Sequence, residues 1–255
     1  MENYLRNSAC ECRNYADRST MNLADRLKVK TYWQDGIIYE NDTARECKCH
    51  KVFRLGGRFD RIANNANLPT YSELQDLNYI GNSDNYNKLR ALPRIIKEKE
   101  LKDILVYVHG ANGCQKTTSI AKVMYDIVLD NQSVYYTTYQ DLIEAINCND
   151  ATVLKDVKNS DWLIVENCFT GETVNFKTVY NTFYNLILHR SKPTILSSEL
   201  TKDEVLEAKS KAFYQQDQLS RIFYKVDKYC TDLAFNDNVY KLQLTNGKAI
   251  DIWSL

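Results

Sequence analysis

Residues 104–129 constrain this chain more than any other stretch. Ile104-Leu105-Val106-Tyr107-Val108-His109 is an unbroken apolar run with the length of a buried strand. Gly110-Ala111-Asn112-Gly113-Cys114-Gln115-Lys116-Thr117-Thr118 follows it. Then Ile120, Ala121, Met124, Ile127 and Val128 recur at helical spacing as far as Leu129. A strand that feeds a glycine-bearing turn and then a helix aims the unpaired N–H groups of the helix start back at the turn, where they attract anions. The letters follow G-x-x-x-x-G-K-[ST], the phosphate-loop pattern. Gly110 opens the loop and Gly113 gives it backbone freedom. Lys116 is placed for the β- and γ-phosphates of ATP, and Thr117 for Mg²⁺. The departure is Gln115, where the last glycine belongs. A side chain there crowds the loop or demands an unusual backbone angle. The competing reading is an ordinary strand–turn–helix with a surface lysine.

The rest of the second block alternates in type. Val134–Thr138 and Trp162–Val165 read as strands, as does Thr194–Ser198, with helices from Gln140 to Ile146 and from Val174 to Arg190 between them. This alternation argues an α/β class with a mostly parallel sheet covered by helices on both faces. The end, 239–244 and 249–253 about Thr245-Asn246-Gly247, reads as a hairpin. Glu166 closes the strand Asp161-Trp162-Leu163-Ile164-Val165, where a phosphate-loop enzyme keeps an acid for Mg²⁺. Asn167 stands where a water-activating carboxylate is expected; it can orient a water but cannot accept its proton. A buried strand with a Glu-Asn cap is the plain alternative. After the third strand, Ser198 and Glu199 occupy the place of a γ-phosphate sensor, unless they only cap the helix begun by Thr201-Lys202-Asp203. Glu199 is also a candidate for the carboxylate that Asn167 lacks.

Residues 1–66 differ in kind. Cys10-x-Cys12 and Cys47-x-Cys49 make two close pairs, and four thiolates from two short turns can close a tetrahedral Zn²⁺ site. Four reduced cysteines in a small domain are the alternative. Cys114, Cys148, Cys168 and Cys230 are scattered and read as packing or loop thiols, Cys114 being placed for sensitivity to oxidants. Thr31-Tyr32-Trp33 and Gly36-Ile37-Ile38-Tyr39 flank a turn at Gln34-Asp35. From Lys51 to Ala66, Val52, Phe53, Leu55, Phe59 and Ile62 give a helix. Its Lys51, Arg54, Arg58 and Arg61 form a basic stripe, which suits phosphates or a solvated face. Residues 67–100 read as a linker and lead-in helix, and 101–255 as the nucleotide-binding domain. Tyr71, Tyr79 and Tyr86 are candidates for stacking on bases.

Composition narrows the partners. Lys+Arg (33) balances Asp+Glu (33), so nucleic-acid binding must come from a local patch. No apolar run reaches the ~18 residues of a membrane span, and the polar N-terminus lacks a signal-peptide core. A cytoplasmic protein without structural disulfides is the expectation.

The segments GANGCQKTTSIAKVM, VYYTTYQDLIEAI, SDWLIVENCFTGE, NTFYNLILHRSKPTILSSEL and QLSRIFYKV occur in an order that resembles phage-type DnaC/DnaI helicase loaders, AAA+ ATPases related to IstB transposition ATPases. The resemblance spans residues 45–235. It implies an AAA+ P-loop NTPase core behind a small zinc-binding-like domain, with ATP, Mg²⁺ and Zn²⁺ as cofactors. It also implies a replicative hexameric helicase and single-stranded DNA as partners, a homo-oligomer on ATP binding, and a bacterial host cell. Arg221 is then the arginine finger that reaches a neighbouring subunit's ATP. Arg190 is the arginine of the helix before the third strand, and Cys47-x-Cys49 before a basic helix matches the loaders' zinc segment. Two alternatives stay open: an IstB-like transposition ATPase, disfavoured by the zinc-type N-terminus, and a non-catalytic nucleotide-binding helicase regulator, favoured by Gln115 and Asn167.

Overall fold

The computed structural model describes residues 10–26, 28–41, 43–76, 84–169, 177–209, 213–228 and 232–235. The chain divides into two compact units, residues 1–61 and 62–255. The expected hairpin at 239–253, together with Tyr79 and Cys230, lies outside the described residues.

The first unit holds β1 (Ala16–Asp17), α1 (Leu23–Arg26), β2 (Thr31–Gln34), β3 (Ile37–Glu40), β4 (Thr43–Glu46) and the start of α2 (Lys48–Asn65). Its strands run in the order β1-β2-β3-β4. Gln34 pairs with Ile37, so the turn is Asp35-Gly36, one residue later than the sequence suggests. The reason is geometric. A two-residue hairpin turn of the type that matches strand twist needs positive φ at both central residues, and Asp35 (48°) and Gly36 (87°) supply it. Alternation along the hairpin sends Trp33 and Ile38 into a cluster with Cys12 and Cys47. Tyr32 and Tyr39 stack on the opposite face with centroids 4.6 Å apart. In α2, Leu55 and Phe59 are buried as the spacing predicts, whereas Phe53 is 51% exposed and is not a core residue.

The second unit contains α3 (Tyr71–Asp76), α4 (Asp84–Glu98), β5 (Leu105–His109), α5 (Lys116–Leu129), β6 (Val134–Thr138), α6 (Tyr139–Asn147) and α7 (Ala151–Asn159). There follow β7 (Trp162–Glu166), α8 (Lys177–His189), β8 (Thr194–Ser198), α9 (Lys202–Lys209), α10 (Phe213–Asp227) and β9 (Asp232–Ala234). The sheet order is β6-β7-β8-β5-β9, and among the described residues its strands all pair in parallel. All five residues of β5, β7 and β8 are buried, as strands sandwiched between helices must be. The aromatic side chains Tyr107, Tyr139, Phe169, Phe183 and Phe223 pack edge-on or tilted beside this sheet, Tyr107 and Phe223 at 5.2 Å and 75°. Helix α7 has no counterpart in the expectations above; Asp150 starts it by accepting from the Thr152 and Val153 amides. Parallel pairing brings the carboxyl ends of β5, β6, β7 and β8 to one edge, where ligands of open α/β sheets bind.

Candidate functional site

The loop after β5 is built around three positive φ angles. Gly110 (148°) and Gly113 (83°) use glycine's freedom, but the third, Gln115 (61°), carries a side chain. Gln115 is therefore left-handed, with ψ 24°, directly before α5. The loop keeps the phosphate-loop backbone at a position that lacks the usual glycine, and a modest strain results. Gln115 caps α5 with no side-chain hydrogen bond, while its carbonyl accepts the Ser119 amide at 2.9 Å. Gly110 is fixed for a second reason: a Cβ there would sit 2.0 Å from the Phe235 carbonyl oxygen. The Phe235 amide itself donates to the His109 carbonyl at 2.7 Å, which ties β9 to the loop's entrance. Ala111 and Asn112, at the tip, are exposed, and Thr118 is half-buried in the first turn of α5.

Lys116 is buried and folds back on the loop. Its Nζ donates to the Gly110 carbonyl at 2.6 Å and the Ala111 carbonyl at 3.0 Å, with Cys114 Sγ at 3.8 Å. Cys114 is 4% exposed and donates to the Ala111 carbonyl, which shields its thiol. Thr117, next in the helix, donates from Oγ1 to Glu166 Oε2 at 3.2 Å.

Glu166 is the charged centre of the site. It is 4% exposed at the end of β7, beside α5. Its Oε2 also accepts from the Tyr136 hydroxyl at 2.7 Å, and Oε1 is buried with no hydrogen-bond partner. Burial raises the Glu166 pKa; the Tyr136 and Thr117 hydrogen bonds and the Lys116 charge act the other way. A buried carboxylate oxygen lacking a donor, next to a threonine hydroxyl, offers the oxygen ligands a hard divalent cation takes, while the Lys116 ammonium suits a phosphate rather than the cation. Tyr136 has no place among the expected site residues. It sits on β6 two residues before Thr138, which pairs with Glu166, so only the β6–β7 register reveals it.

The other expected residues divide. Asn167 follows Glu166 with φ 55°, a left-handed angle that Asn tolerates better than Glu. Ser198 is buried and committed to backbone: its hydroxyl donates to the Cys168 carbonyl at 2.7 Å and accepts the Leu200 amide at 3.1 Å. Glu199 is exposed at the end of β8. Arg221 lies on α10 with its side chain 67% exposed, paired with Asp217 at 3.0 Å. Arg190 is neither a surface residue nor part of the nucleotide loop. It is 7% exposed and donates to the carbonyls of Val157, Lys158 and Ser160, closing the carboxyl end of α7. Tyr86, 7% exposed, offers no open face for a base.

In the first unit Cys10, Cys12, Cys47 and Cys49 converge, with all four Sγ atoms within 4.8 Å of one another. Cys49 Sγ lies 3.5 Å from Cys12 Sγ and 3.4 Å from Cys47 Sγ. A tetrahedron with Zn–S of ~2.3 Å sets its sulfurs ~3.8 Å apart, so the cluster fits Zn²⁺ with small adjustments. Burial raises the Cys10 thiol, but hydrogen bonds from the Cys12 and Cys49 amides and thiols outweigh it and bring it down to about 7. The Gly36 carbonyl accepts the Cys47 amide at 2.8 Å, and a Cβ on Gly36 would lie 2.1 Å from the His50 ring. On the basic stripe, Arg54 is paired with Glu46 through two hydrogen bonds, at 2.9 and 3.1 Å, which reduces the stripe's charge.

A parallel β6-β7-β8-β5 sheet, a phosphate loop after β5 and an acid closing β7 together define the AAA+ P-loop NTPase fold. Among solved structures the chain is similar to DnaI, at 14% identity and a TM-score of 0.50, over 64% of this chain and 89% of that one. It is also similar to the DnaC helicase loader (16%, TM-score 0.42, 62% of this chain and 93% of that one). A further likeness is to domain III of the Thermotoga maritima replication initiation protein DnaA (14%, TM-score 0.45, 62% and 64%). No family model and no curated protein matches the sequence. At 14% identity, the likeness to DnaI is one of fold. Among the described residues, no helix is long and apolar enough to cross a membrane.

Proposed function

We propose that the chain is an ATP-binding AAA+ switch of the helicase-loader kind, which delivers a replicative hexameric helicase onto single-stranded DNA. The observation that carries the reading is the convergence of Lys116, Thr117 and Glu166 on one sheet edge, with Glu166 Oε1 buried and unpartnered. The amides of 110–118 line the phosphates, and Lys116 exchanges its two carbonyl partners for β- and γ-phosphate oxygens. Thr117 and Glu166 hold Mg²⁺, which supplies positive charge against the terminal phosphates when bound. Asn167 orients a water without accepting its proton, so hydrolysis is slow or needs a partner. Arg221, on an exposed face of α10, suits contact with the nucleotide of a neighbouring copy. The four cysteines hold Zn²⁺ in a unit that grips the helicase. The likeness to DnaI supports this reading through fold alone.

The test combines nucleotide titration, ATP turnover and capture of a hexameric helicase from the host, with single-stranded DNA present and Lys116→Ala as the control. Nucleotide binding, helicase capture and turnover in at least one condition together support the loader. Nucleotide binding and capture without turnover under any condition favours a non-catalytic regulator, the reading to which Asn167 points. Failure to bind nucleotide defeats both.

A further inference from the structure

Glu166 is one methylene longer than the aspartate that would fill the same space, and so has one more torsion to fix. Two donors fix it. Thr117 Oγ1, at 3.2 Å, is itself a ligand in the reading above, so its oxygen lone pairs are shared with the cation. The Tyr136 hydroxyl, at 2.7 Å, is shorter and belongs to no ligand. Both donors meet Oε2, which leaves Oε1 as the oxygen with open acceptor capacity. The parallel register sets this up: Thr138 pairs with Glu166, and Tyr136, two residues back on the same face of β6, leans along the strand to meet it.

We propose that Tyr136 is a positioning residue, whose hydroxyl holds Glu166 in the orientation that presents Oε1 to the cation accompanying the nucleotide. The inference rests on the ATP-site reading. It concerns coupling between cation and nucleotide, not nucleotide contact, because Tyr136 acts through Glu166. The contact is a phenol O–H donating to a carboxylate oxygen, the direction a tyrosine hydroxyl takes beside an acceptor-only group.

The experiment uses the full chain and a fluorescent ATP analogue, titrated once in excess Mg²⁺ and once in excess EDTA. The ratio of the two affinities is the readout. In Tyr136→Phe the ratio is expected to fall on the order of tenfold, the effect of losing one donor to a buried carboxylate, while the EDTA affinity stays within about twofold. In a Glu166→Gln background the same change shifts the ratio by less than about twofold, because the anionic Oε1 that Tyr136 orients toward the cation is replaced by an amino group. Tyr136→Leu, which also lacks the hydroxyl, is expected to lower the ratio by a similar factor and serves as the second variant if Phe compromises folding. An unchanged ratio in both variants, or an equal loss in the Glu166→Gln background, overturns the inference. Wild-type protein that binds no nucleotide in either titration overturns the ATP-site reading instead, which is a separate result.

Discussion

Replacing Glu166 with glutamine should make the protein more stable while it weakens Mg²⁺-dependent nucleotide binding. The carboxylate is 4% exposed, and only one of its oxygens has hydrogen-bond donors. A buried polar group left unsatisfied costs ~1–3 kcal/mol, and more when charged. Lys116 offsets part of that. Glutamine keeps both donors on its amide oxygen and removes the charge, at the expense of an amino group in place of Oε1. A net gain of about 1–2 kcal/mol is expected. For a unit of residues 62–255, each kcal/mol moves the melting temperature by about 2–4 °C, so a rise of roughly 2–8 °C should be seen. The pH dependence has a definite sign. Because burial raises the Glu166 pKa, the folded state holds a proton that the unfolded chain has already released. Stability of the wild type therefore falls as pH rises from the ordinary glutamate range to the raised value, and is level above it. The advantage of Glu166→Gln is smallest in the ordinary glutamate range, grows as pH rises through the raised value and is level above it. Melting curves of both proteins in EDTA across that range are the assay. A variant less stable than wild type at the upper pH, or a gain equal at every pH, refutes the reasoning.

Gln115→Gly relieves a left-handed residue that costs ~1–2 kcal/mol, against a glycine entropy cost of ~0.5–1 kcal/mol. Chemical denaturation should show unchanged stability or a gain of up to ~1.5 kcal/mol, with nucleotide affinity retained; a clear loss would mean the Gln115 side chain has a role of its own. Arg190→Ala removes the guanidinium donors from the carbonyls of Val157, Lys158 and Ser160, two of the bonds being buried, and should destabilise by about 2–4 kcal/mol in the same assay, with nucleotide affinity within about twofold. Metal analysis of the purified chain should find one zinc per molecule. Cys47→Ser should lower that content and expose residues 10–61 to protease while nucleotide binding persists, whereas metal-free wild type would exclude the site.

The nucleotide loop and its acid were legible because order along the chain nearly determines their meeting. Apolar runs such as 104–108 and 162–165 are recognisable as strands buried on both faces, and parallel strands carry their carboxyl-end residues to one edge. The left-handed angle at Gln115 was likewise implied by the missing glycine. Tyr136 was not legible, since its meeting with Glu166 depends on the exact pairing of β6 with β7 and on a side chain leaning along its strand. Arg190 was hidden for a different reason: nothing local distinguishes an arginine that satisfies buried carbonyls from one on the surface. Helix α7 was missed because its apolar residues, Val153, Leu154 and Val157, cover little more than one turn. Phe53 belongs to the apolar pattern that marks α2 as a helix, yet it is 51% exposed, since the pattern does not say which of its residues face the core.

The hydrogen bonds from Lys116 to the Gly110 and Ala111 carbonyls bear on the net strength of the proposed nucleotide site. The ammonium already has two oxygen neighbours, so a phosphate that takes it over would replace bonds the loop itself supplies. On that proposal, affinity for an anion is the difference between two coordination shells, smaller than the contacts to the anion alone would suggest.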